Sequence, residues 1–107
     1  MSVSPEEIAF ARDLFSGLGE ITTRRMMGGL CLYHEGTIFA ILHSESGIMI
    51  KGAGPFIDVL EGMGCTRWTY TRKTGKIGSM PYWTLPGTAL DDLDEAVSLA
   101  REALRHL

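Results

Sequence analysis

The sequence predicts an α+β domain: helix, three strands, helix, two strands and helix (α-β(3)-α-β(2)-α), around a largely antiparallel five-stranded sheet. Three observations carry that expectation. Apolar residues recur at helical spacing at both ends of the chain, and the period changes to two after Glu20. Between two of the period-two runs sits Glu35-Gly36, a tight hairpin turn.

Ser4, Pro5 and Glu7 form a capping-box start, with Ser4 as N-cap, Pro5 at the first helical position and Glu7 three residues on. Ile8, Ala11, Leu14, Phe15 and Leu18 continue the helix, and Gly17 and Gly19 end it. Ile21–Met27 is extended, Gly28-Gly29 interrupts, and a second run covers Leu30–His34. The Glu35-Gly36 turn leads to Thr37–His43, and Ser44–Gly47 turns the chain into Ile48–Lys51. Pro55 starts a short helix through Phe56, Val59, Leu60 and Met63, closed by Gly62 and Gly64. Thr66–Thr71 alternates as a strand with Trp68 and Tyr70 on one face, and the polar loop Arg72–Ser79 leads to Met80–Leu85. Pro81 has no amide hydrogen, which places that strand at an edge or starts it there. A last helix begins near Asp91, with an acidic first turn and Arg101, Arg105 and His106 near its end, in keeping with the helix dipole. Its apolar stripe is Leu93, Ala96, Val97, Ala100 and Leu104.

At 107 residues the chain is the size of one domain, expected to span 1–107, with enough surface buried for a core. Composition is that of a globular protein, with 45% hydrophobic and 21% charged residues. The net charge of −3 is unevenly spread: residues 1–20 and 84–107 each carry −3, whereas 21–83 carries +3. The acidic excess therefore belongs to the terminal helices, and net charge does not exclude an anionic partner but requires any such contact to be local. Two cysteines, Cys31 and Cys65, lack a CxxC spacing, and no apolar run is long enough to span a bilayer. A cytoplasmic protein with reduced thiols is expected.

With Glu35 and Gly36 as loop residues, a regular register sets Leu32 against Phe39 and Leu30 against Ile41. Leu30, Leu32, Phe39, Ile41, Ile48 and Ile50 then share a core face. The opposite face collects Cys31, Tyr33, Ile38, Ala40, Leu42, Met49 and Lys51, too apolar for a wet face. Either another helix or a second subunit covers it, and Tyr33, Ile38, Leu42 and Met49 are candidate interface residues of a homodimer or partner complex.

Chemistry is hard to assemble. His34 and His43 lie at opposite ends of one hairpin, roughly 20 Å apart by strand rise, and His106 is at the C-terminus. They do not converge on a metal site. No serine sits in a nucleophile elbow, and Thr74-Gly75-Lys76 fails as a phosphate loop because Tyr70 replaces the first glycine and Ile77 the Ser/Thr. No catalytic residue, cofactor or metal is expected. The basic residues are the remaining signal: Arg67, Arg72, Lys73 and Lys76 near one loop, with Arg24 and Arg25 near Gly28-Gly29. Interleaved with Trp68, Tyr70, Tyr82 and Trp83, they could hold nucleic acid, or the lysines could simply solvate a hairpin tip. Arg24 and Arg25 point to opposite faces of a regular strand. A small-ligand pocket near Trp68 and Trp83 is a further option.

Four motifs in order, Arg24-Arg25-Met26-Met27-Gly28-Gly29, Tyr33-x-Glu35-Gly36-x-x-Phe39-Ala40, Ile48-x-Ile50-Lys51 and Tyr82-Trp83-x-Leu85-Pro86, resemble the TfoX/Sxy N-terminal domain over nearly the whole chain. The resemblance implies a fold like that of the type III secretion chaperones, which often dimerise. It also implies a place among regulators of competence for natural DNA uptake, which act with other transcription factors. Those regulators carry a second, helical C-terminal domain, which is not expected in a chain of 107 residues. It implies no catalytic residue. Function is expected to be that of a non-enzymatic regulatory or interaction module acting through protein contacts.

Overall fold

The first helix, α1 (Pro5–Leu14), starts as its sequence dictates. The Ser4 hydroxyl accepts from the Glu7 amide at 3.2 Å, and the Glu7 carboxylate accepts from the Ser4 amide at 3.1 Å. A 3-10 turn at Ser16–Leu18 and Gly19 at φ 108° then swing the chain toward the sheet. The computed structural model describes residues 3–26, 29–44 and 46–107. The expected extended end at Met27, the break at Gly28 and the turn position Glu45 lie outside these residues.

Six strands form one antiparallel sheet: β1 (Thr22–Met26), β2 (Gly29–His34), β3 (Thr37–His43), β4 (Gly47–Lys51), β5 (Arg67–Thr71) and β6 (Ile77–Thr84). Their spatial order is β1-β2-β3-β4-β6-β5. The α+β class holds, with six strands rather than five. The stretch interrupted at Gly28-Gly29 is two strands, which pair from Met26↔Gly29 to Thr22↔Tyr33. The helices α2 (Phe56–Gly62), α3 (Gly87–Leu90) and α4 (Leu93–Arg105) join α1 on one side of the sheet. The four-residue α3 was not expected from the sequence.

The β2–β3 hairpin turns at Glu35 and Gly36, both with positive φ (50° and 81°), as a type I′ turn requires. Two pairs into the ladder the register departs from the regular one. Tyr33 pairs with Ile38 and Leu32 with Ala40, so Phe39 is an extra, bulged residue. Its ring meets Phe15 edge-on at 5.1 Å in the core. A one-residue shift exchanges faces. Ala40 and Leu42 therefore join Leu30, Leu32, Phe39, Ile48 and Ile50 beneath the helices, and Ile41 moves to the opposite face. The face assignments expected for Ile41, Ala40 and Leu42 are corrected accordingly.

The expectation for Pro81 also changes. β6 pairs with both β4 and β5, so it is not an edge strand. Its ladder with β5 jumps from Arg67↔Trp83 to Thr69↔Ser79, and Pro81 sits in that irregularity where no amide is needed. Its carbonyl accepts from the Gly52 amide at 3.0 Å. In α4, capped by the Asp92 carboxylate at 3.0 and 3.2 Å, the buried stripe is Ala96, Leu99, Ala100 and Ala103. Leu93, expected inside, is 52% exposed, and Val97 and Leu104 are half-buried.

On the face without helices no helix of this chain provides the cover, and the sheet's own side chains pack on one another. Ile41, Met49 and Tyr82 are buried there among Met26, Cys31, Ile38, Trp68 and Met80. The ring of Trp68 on edge strand β5 comes within 5.1 Å of the His43 ring on β3, three strands away in the sheet order. The sheet curls, and its own large side chains cover much of the surface.

Candidate functional site

The candidate cations do not form one patch. β1 and β5 are opposite edges of the sheet, so Arg24 and Arg25 stand apart from the basic residues between 67 and 76. Arg24 pairs with Cys31 and shares the helix-free face, whereas Arg25 pairs with Leu30 and shares the helix side. Arg67 is also separate. Its guanidinium lies 4.8 Å over the ring of the buried Trp83, and its Nε donates to the Met80 carbonyl at 3.2 Å. That leaves Arg72, Lys73 and Lys76 at the tip of the β5–β6 hairpin. The tip is closed by the Arg72 amide donating to the Lys76 carbonyl at 2.7 Å and the Gly75 amide to the Arg72 carbonyl at 2.9 Å. Gly75 has φ 86°, which makes this a type I turn with a glycine bulge.

The four candidate interface residues divide as well. Tyr33 and Ile38 are half-buried on the helix-free face, and Met49 is buried there with 1% exposure. Leu42 is in the core on the other face, so its substitution would test packing first. On the helix-free face the Cys31 thiol donates to the Met26 sulfur at 3.3 Å. The Tyr82 hydroxyl is pushed up to about 12 by burial, with smaller contributions from Cys31 and Tyr33. Burial also pushes the Cys65 thiol up, which disfavours the thiolate and its reactivity.

The three histidines have separate surroundings. His34 Nε2 lies 3.1 Å from the Leu18 carbonyl, which only accepts, so that nitrogen carries the proton. His43 faces Trp68, and His106 stacks on Phe56 at 6.4 Å. Among the described residues no three His, Cys, Asp or Glu side chains gather as metal ligands. Trp68 and Trp83 lie on opposite faces of the sheet and do not share a pocket.

Sequence reasoning missed an apolar groove of about 380 Å³ between α1, α3 and the β3–β4 end of the sheet. Leu42 and Ile48 line it, Phe10 and Leu90 flank it at 49% and 38% exposure, and Glu6 and Glu7 stand at its rim. The signal was Phe10 itself, a large aromatic off the buried stripe of α1.

The sequence pattern of the TfoX N-terminal domain matches residues 13–107, nearly the whole chain. The chain belongs to the TfoX N-terminal domain family. Comparison with curated proteins gives no match. In this TfoX N-terminal domain, the Gly29 of the Arg-Arg-Met-Met-Gly-Gly segment pairs tightly with β3. The Tyr-Trp segment divides its rings between the two faces of β6, Tyr82 on the helix-free side and Trp83 in the main core. Among its described residues no helix is long and apolar enough to cross a membrane.

Proposed function

We propose that this TfoX N-terminal domain is a non-enzymatic regulatory module of the cytoplasm, working in competence-type regulation by protein–protein contact. The groove between Phe10 and Leu90 is its docking site. The observation that supports this most is the pairing of two half-exposed large apolar side chains with an apolar floor of Leu42 and Ile48. Glu6 and Glu7 at the rim favour a partner segment with a basic residue beside its apolar anchor.

A photo-crosslinking amino acid in place of Phe10, compared with one in place of the exposed Met63 just past the end of α2, tests the site in the cell. A protein captured from position 10, absent from position 63 and lost on Leu90→Ser, is expected. No capture at position 10, or the same species from both positions, removes the groove as the docking site.

Pairing of two copies through the helix-free face is a second reading, favoured by Tyr33 and Ile38, which the curl leaves only half-buried. Light scattering distinguishes it: a dimer mass that falls to the monomer on Tyr33→Asp supports the pairing, and a monomer at all concentrations ends it.

A further inference from the structure

We infer that the β5–β6 hairpin binds single-stranded nucleic acid, with bases against Tyr70 and Trp68 and phosphates on Arg72, Lys73 and Lys76. The charge is local and of one sign. No Asp or Glu occurs between Glu61 and Asp91, whereas the acidic residues of the chain are concentrated in its helices. A net charge of −3 therefore coexists with a tip that attracts anions.

The aromatic groups are held in place rather than scattered. Trp68, Tyr70 and Arg72 alternate along the chain and so line one face of the hairpin. Trp68 and Tyr70 have ring centroids 6.5 Å apart, and the Arg72 guanidinium lies 6.0 Å from the Tyr70 ring. The His43 ring continues the row 5.1 Å beyond Trp68. Tyr70 lies across β6 because residue 78 has no side chain: a Cβ there would come within 2.6 Å of the ring. With 39% of its surface exposed, Tyr70 offers a face to a base.

Flat π-groups next to cations suit a strand whose bases are unstacked. A duplex hides its base faces and offers such a surface only phosphates, so the single strand is the better fit. Arg67 does not take part, since it is committed to Trp83 and the Met80 carbonyl.

Fluorescence anisotropy with short labelled oligothymidylate, oligouridylate and a matched duplex tests this. Both single strands count as ligands, and their relative affinities tell DNA from RNA. The single strands should bind more tightly than the duplex. Their log affinity should fall with log salt at a slope of about −2, as three neutralised phosphates require. Tyr70→Ala should weaken binding about tenfold or more, and Tyr70→Phe should retain it. Gly78→Ala, which displaces the ring, should weaken binding like Tyr70→Ala. Replacing Arg72, Lys73 and Lys76 together by Gln should flatten the salt dependence; these three are exposed, so the fold is kept. No binding at low salt, equal binding of the duplex, or Tyr70→Ala binding like the wild type would each overturn the inference.

Discussion

Gly29 is small because of what lies across from it. A Cβ at this position would sit 2.3 Å from the Leu42 carbonyl oxygen, a backbone atom that cannot move without breaking the β2–β3 ladder. Gly29→Ala should therefore cost about 2 kcal/mol of stability, seen in urea as a lower midpoint with an unchanged slope. Tyr82 makes a second residue-level prediction. Its folded pKa is raised from 10.0 to about 12, so the native state holds the proton more firmly than the unfolded chain. The resulting stability is fully present below pH 10 and is lost as pH rises toward 12. Urea unfolding across that window should show the loss, and Tyr82→Phe should reduce it. Neither residue could be interpreted this way from sequence. Gly29 reads as punctuation and Tyr82 as one aromatic among several, because the atoms that constrain them come from other strands.

Elements whose instructions are local were legible. The capping box fixes the start of α1 within four residues, and Ser4→Ala should cost about 1 kcal/mol by removing the acceptor for the Glu7 amide. Thermal or urea unfolding measures that directly. The Glu35-Gly36 turn was equally readable, since two adjacent residues at positive φ select its type. The bulge at Phe39 was not readable. It follows from the Phe15–Phe39 contact between residues far apart in the sequence, and it exchanges the faces of Ala40, Ile41 and Leu42. Pro81 was misplaced for a similar reason: the ladder irregularity that accommodates it in an inner strand depends on a partner strand. The basic hairpin tip was legible as a charge cluster, but the loss of Arg67 to Trp83 needed the fold.

At the scale of the whole molecule, the sheet separates two kinds of surface. The helices carry most of the acidic groups and their side holds the apolar groove, and the β5–β6 hairpin carries an acid-free tip. Because Phe10 and Leu90 keep roughly half of their surface exposed, Phe10→Ser and Leu90→Ser should cost about 1–2 kcal/mol each, less than a core truncation, checked by urea unfolding. The groove variants are thus suited to separating recognition from folding. The division of the two tryptophans has a practical consequence. Trp83 is fully buried, and its indole nitrogen has no hydrogen-bond partner among the described residues, so its emission should be blue and shielded from iodide. Trp68 stands on the other side, half-buried beside the hairpin's row of rings. One chain thus carries two native optical reporters, and single Trp→Phe variants would let ligand arrival at the hairpin and melting of the core be timed separately.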